Sequence, residues 1–220
     1  EQNVYYYFRR TFDLAEDPAG FRLFVTADTR YQLFVNGAFL GRGPVQSPPH
    51  FQYYDEYEIG DWLRRGGNCV ALVVTHVNLY LTGKSGGLLL EVTDRDGKTQ
   101  VATDEQWRVE RATAWEQDTY CVRSNKVTPF QEFFDARRAP AGWRESDYDD
   151  AHWPFARVLV GRASDRPPAV SPWSKLVPRD IPFMTADPVQ PVRVETVEES
   201  IDLDFRNRRD LAPGLSMVGL

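Results

Sequence analysis

Tyr31-Gln32-Leu33-Phe34-Val35-Asn36-Gly37-Ala38-Phe39-Leu40-Gly41-Arg42 is the stretch on which the reading of the fold turns. Tyr31, Leu33 and Val35 recur at every second position, so they share one face of an extended strand. Asn36-Gly37 follows at once. A type I′ turn needs positive φ at both of its central residues, and this dipeptide tolerates that best. Ala38 to Arg42 is then the returning strand of a tight antiparallel hairpin.

Towards the N-terminus, Tyr5 to Leu14 predicts a first strand, broken by Asp17-Pro18-Ala19-Gly20. From Phe21 to Ala27 the pattern alternates, with Phe21, Leu23 and Val25 on one face and Arg22, Phe24 and Thr26 on the other. Asp28-Thr29-Arg30 is a turn. Towards the C-terminus, Gly43 to Pro49 is a loop carrying Pro44, Pro48 and Pro49, and Tyr53 to Ile59 is a strand. Ile59, Trp62 and Leu63 have helical spacing over one short turn, which Gly66-Gly67 stops. Cys69 to Val77 is continuously apolar, as in a strand covered on both faces. Leu88 to Thr93 and Lys98 to Ala102 flank the turn Asp94-Arg95-Asp96-Gly97. Weaker strands are predicted at Gln106 to Arg111, Thr119 to Arg123 and Phe130 to Asp135, and a final one at Phe155 to Val160. Many short strands, each pair separated by a turn, predict an all-β fold: an antiparallel β-sandwich of the jelly-roll kind with a proline-rich C-terminal extension.

The expected organisation is a sandwich over 1–160, a proline-rich connector over 161–191 and the start of a further, incomplete β module over 192–220. The connector holds Pro167, Pro168, Pro172, Pro178, Pro182, Pro188 and Pro191, a composition that runs extended over a surface.

Composition excludes several classes. The 220 residues carry a net charge of -6, which repels phosphate backbones, and the Arg-Arg pairs are scattered, so nucleic acid is not an expected partner. No stretch is long and apolar enough for a transmembrane helix, and no membrane partner is expected. Residues 1–7 show no signal-peptide pattern within this numbering, and the compartment stays open. Two cysteines, Cys69 and Cys121, do not make a disulfide scaffold; Cys69 reads as a small core residue, with pairing left open.

An ordered series of fragments runs through the chain: Tyr7-Phe8-Arg9-Arg10-Thr11-Phe12, Ala27 through Gly37, Gly41-Arg42-Gly43-Pro44, Tyr54-Asp55-Glu56-Tyr57 and Trp62-Leu63-Arg64-Arg65-Gly66-Gly67-Asn68. Phe134-Asp135-Ala136-Arg137, Gly142-Trp143, Asp149-Asp150-Ala151-His152-Trp153 and Pro178-Arg179-Asp180-Ile181-Pro182-Phe183 continue it. Taken in this order, the series resembles the N-terminal region of bacterial α-L-rhamnosidases. The resemblance implies a galactose-binding-domain-like β-sandwich in front of a separate (α/α)6 barrel. In that family the barrel holds the acid and base carboxylates that release terminal rhamnose with inversion. The expected partners are therefore rhamnose-containing or other plant-type glycans and a catalytic domain of the same polypeptide. This region is expected to be inactive alone.

No catalytic residue is assigned. An inverting glycosidase needs two carboxyl groups roughly 6.5–9.5 Å apart across a cleft. Asp149-Asp150 and Asp55-Glu56 are the most conspicuous acidic pairs, but neighbours on a strand face opposite ways and acids in turns cap backbone amides. His50, His76 and His152 lack metal-ligand spacing, no nucleophile-elbow motif is present, and Lys84-Ser85-Gly86-Gly87 is no phosphate loop. Related accessory modules hold rhamnose through calcium near the Asn-Gly hairpin, but here Arg42 stands where an acid is needed. No metal and no cofactor are expected. A sugar site without calcium needs a ring for stacking beside planar polar groups. Arg42, His50, Tyr53, Tyr54, Asp55, Tyr80 and Trp115 are the candidates, with Tyr53 and Tyr54 on opposite faces if they share a strand. Besides the accessory role, the sequence leaves open a stand-alone lectin-like module and a purely structural interaction domain.

Overall fold

The computed structural model describes residues 3–47, 51–77, 87–117, 119, 131–159, 175–185, 190 and 192–193. Most of the predicted strand at Thr119 to Arg123, of the connector and of the final module lies outside these residues. The chain divides into two compact units, Glu1–Asp180 and Ile181–Leu220.

Among the described residues of the first unit, ten strands form two five-stranded sheets. They are β1 (Asn3–Leu14), β2 (Arg22–Ala27), β3 (Arg30–Val35), β4 (Ala38–Gly43), β5 (Gln52–Glu58), β6 (Gly66–Val77), β7 (Leu88–Thr93), β8 (Thr99–Ala102), β9 (Arg108–Arg111) and β10 (Leu176–Pro178). The first sheet has the order β4-β3-β6-β1-β9 and the second β10-β5-β2-β7-β8. Every pairing is antiparallel except that of β10 with β5. This is the all-β sandwich that the alternating patterns predict.

Leu23, Val25, Leu90 and Val92 from the second sheet pack with Leu33, Val35, Val70 and Leu72 from the first. The alternation over Phe21 to Ala27 points as expected: Leu23 and Val25 are buried in this core. The hairpin also forms as expected, with positive φ at both Asn36 and Gly37. A bulge between Leu33 and Phe34 shifts the β3–β4 register, so Leu33 pairs with Gly41 and Phe34 with Phe39.

The Asn36 side chain stitches the hairpin to the rest of the sheet. Its Nδ2 donates to Trp62 O and to Asn68 Oδ1, both at 2.8 Å, and its Oδ1 accepts from Cys69 N. Asn68, fully buried, accepts from Arg64 N and donates to the carbonyls of Arg64 and Gly66. The spacing from Trp62 to Asn68 thus encodes one connected polar network, in which these two amides satisfy the backbone of the turn before β6.

β6 is covered on both faces, as its apolar run predicts. Val70, Leu72 and Val74 face the sandwich core, while Cys69, Ala71 and Val73 face a second core on the outer side of the first sheet. Tyr5, Tyr7, Phe34, Trp115, Trp143 and Trp153 complete that second core. The segment 131–159 contributes mainly turns. Phe134 and Phe155 each form a single bridge, to Trp115 and Arg108, so neither predicted strand develops there. At Phe155 the backbone of the segment meets β9 and its approach through the flanking bonds Val109 N to Pro154 O and Ala156 N to Trp107 O, and the Arg108 side chain adds a bond to Trp153 O. Phe155 itself is exposed under the Arg108 guanidinium, 3.7 Å from its ring centroid.

Cys69 forms no disulfide and is fully buried. Burial pushes its thiol up to about 11, against the pull of the nearby Arg9 guanidinium. Alkylation requires the thiolate. In a Cys121→Ser chain, Cys69 is therefore expected to resist iodoacetamide at mildly alkaline pH and to react only after unfolding in urea. Rapid labelling of the folded chain would contradict this placement.

Candidate functional site

A cluster of polar side chains is gathered inside the sandwich, on positions that strand alternation turns inward. Tyr31 and Asp55 are buried, and Tyr57 packs half-buried against the same core. They face inward because they share the strand parity of Leu33 on β3 and of the inward face of β5. The Tyr31 hydroxyl donates to Asp55 Oδ2 and lies 3.1 Å from the Tyr57 hydroxyl. Arg179 brings Nη1 to 3.3 Å from Asp55 Oδ1. Burial raises the Asp55 carboxyl above its ordinary value, against the Tyr31 hydrogen bond and the Arg179 charge. Burial likewise raises Tyr31 and takes Tyr57 up to about 12.

This cluster explains Gly41-Arg42-Gly43 on β4. A Cβ on Gly41 would sit 2.7 Å from the Tyr57 hydroxyl. A Cβ on Gly43 would overlap Asp55 Oδ2 outright and lie 2.8 Å from the Tyr31 hydroxyl. The glycines are there because the polar cluster packs against strand backbone.

Among the described residues, those singled out in the sequence do not converge on one site. Tyr53 and Tyr54 lie on β5 and face opposite ways, as strand geometry requires. Tyr53 shares the parity of Asp55, meets Phe51 edge-on at 5.1 Å, and has its hydroxyl raised by lost solvation and by the Asp180 carboxylate. Tyr54 is on the outer face of the second sheet, edge-on to Phe24 at 6.2 Å. Beside that pair, Arg22 Nη1 reaches Glu56 Oε1 at 3.2 Å, with both side chains well exposed. Arg42 is exposed on the first sheet, 5.5 Å from the Phe39 ring centroid. Trp115 lies in the second core, stacked on Tyr5 at 5.7 Å, and donates its indole N–H to Glu132. His50 and Tyr80 are outside the described residues.

The conspicuous carboxylates are held by other groups of the chain. Asp150 pairs with the buried Arg9, and Arg108 Nε lies 3.7 Å away. Its neighbour Asp149 accepts from Ala151 N, an acid serving a turn. Asp28 Oδ2 meets His76 Nδ1 at 2.5 Å. Among the described residues, no group of three or more His, Cys, Asp or Glu could hold a metal ion.

Sequence reasoning quoted two residues, Arg9 and Arg179, without assigning either the role it has in organising the unit. Arg9 is fully buried on a strand face shared with Tyr5 and Tyr7, and a lone arginine on that aromatic face was the available signal. Arg179 is recognisable only through its fit to Asp55, because nothing local marks it.

Known proteins carry the same architecture. The family model described as "Alpha-L-rhamnosidase N-terminal domain" matches residues 16–194. The crystal structure of a GH78 family rhamnosidase from Bacillus sp. GL1 is 40% identical, with a TM-score of 0.69 over 83% of this chain. An alpha-L-rhamnosidase of Streptomyces avermitilis is 25% identical over 175 residues, 78% of this chain. An alpha-L-rhamnosidase from Dictyoglomus thermophilum, 21% identical over 71% of the chain with a TM-score of 0.60, shows the same fold. The chain spans only 14% of the Streptomyces protein, 19% of the Bacillus chain and 18% of the Dictyoglomus chain. With a match over most of its length, the chain belongs to the alpha-L-rhamnosidase N-terminal domain family.

Proposed function

We propose that this chain is a non-catalytic accessory region of an α-L-rhamnosidase, supporting a separate (α/α)6 catalytic domain by docking on it and by helping to recognise rhamnose-containing glycans. The observation that carries the reading is the 40% identity to a rhamnosidase chain of which this region covers only 19%. The chemistry agrees with it. Asp28 is tied to the His76 imidazole, Asp55 to the Tyr31 hydroxyl and Arg179, and Asp150 to Arg9, whereas an inverting pair must face a water and a leaving group across a cleft.

Incubation with an aryl α-L-rhamnoside is expected to release no aryl alcohol, and turnover that survives purification would overturn the accessory reading. The lectin-like alternative is favoured by one feature, the outward Tyr54 beside Phe24, with Arg22 and Glu56 as planar polar neighbours. Calorimetry with rhamnose tests whether this face binds sugar. Binding heat that disappears in Tyr54→Ala supports recognition at this face, and heat unchanged in that variant places any sugar site elsewhere.

A further inference from the structure

β10 is three residues long, and none of its side chains is fully buried: Leu176 and Val177 are half-buried and Pro178 is exposed. It lies parallel to β5 at the edge of the second sheet, with Leu176 opposite Gln52 and Pro178 opposite Tyr54. Two backbone bonds flank it, Gln52 N to Lys175 O at 2.8 Å and Arg179 N to Tyr54 O at 2.9 Å. So short a strand with so little apolar area does not hold itself to a sheet. What lies next to it is a fully buried carboxylate, Asp55, which needs a cation. Arg179 supplies one, with a side chain only 12% exposed.

We propose that the edge of β5, with Asp55 backed by Tyr31 and Tyr57, is a docking site for an extended arginine-bearing segment. Residues 175–180 occupy it, held by the Arg179 charge rather than by contact area. The first compact unit ends at Asp180, directly after this arginine. The pair is therefore a lock that fixes where the chain leaves the sandwich. This inference stands apart from the rhamnosidase reading and does not require it.

Hydrogen exchange on the whole 220-residue chain tests it, comparing Arg179→Met, which keeps the length of the side chain, with Arg179→Lys, which keeps its charge. In Arg179→Met, residues 175–180 are expected to exchange at least about tenfold faster while β1 and β6 stay as protected as in the parent. Arg179→Lys is expected to keep most of the protection, and Asp55→Asn to behave like Arg179→Met. Unchanged exchange in Arg179→Met, or equal loss in the Lys and Met variants, overturns the charge-held lock. Faster exchange spread evenly over β1 and β6 also overturns it, because the pair is then part of the core rather than a separable latch.

Discussion

Replacing Arg9 with methionine is expected to destabilise the sandwich by about 3 kcal/mol, measured by urea unfolding followed through tryptophan fluorescence. Arg9 is fully buried on β1, and its guanidinium ties the 143–150 segment to the first sheet at several points. Nε donates to Trp143 O at 3.0 Å, Nη2 to Glu145 O at 2.7 Å and Nη1 to Tyr148 O at 3.3 Å, with Asp150 as the ion-pair partner. Its plane also lies 5.2 Å from the Tyr148 ring centroid. Methionine fills similar space but removes the guanidinium donor from three carbonyls. The estimate stays at the low end for a broken buried pair because Asp150 is 20% exposed and keeps Arg108 nearby. For the same reason Asp150→Asn is expected to cost less, about 1–2 kcal/mol, and the double variant less than the sum. A loss below about 1 kcal/mol in Arg9→Met would mean that the second core holds the segment by apolar packing alone.

Gly43→Ala is expected to cost about 3 kcal/mol or more, although it adds a single methyl group. That methyl group overlaps Asp55 Oδ2, and Asp55 is confined by the Tyr31 hydroxyl and by Arg179. The strand cannot relax without moving a buried carboxylate off its partners. Gly67→Ala is the control. Its Cβ would meet nothing nearer than Asp13 Oδ1 at 3.7 Å, and stability is expected to stay within about 0.5 kcal/mol of the parent. Equal losses in the two variants would show that the cost comes from glycine removal in strands generally and not from the polar cluster.

These two positions also mark the limit of what could be read in the sequence. The hairpin at Asn36-Gly37, the two-faced β6 and the in–out alternation of β2 were legible because each depends on neighbours within a few residues. Turn chemistry and strand period are local properties, so they are written locally. Gly41-Arg42-Gly43 was legible as a motif but not as a cause, since the atoms that forbid side chains there belong to Tyr31, Asp55 and Tyr57. Trp115 looked like a ring available to a ligand and lies in a core, because residues 131–159 fold back over the outer face of the first sheet.

The sequence by itself determined the strands from β1 to β9, the tight turn, the sandwich class and, through an ordered set of fragments, the family, but not β10 nor the single bridges at Phe134 and Phe155. The tertiary structure decided which polar residues are inside. Arg9 meets Asp150 across 141 positions of chain, and Asp55 meets Arg179 only once β10 lies beside β5. Strand period is fixed by the covalent backbone, whereas a buried charge finds its partner only when the fold excludes water around both, and no local pattern encodes that meeting.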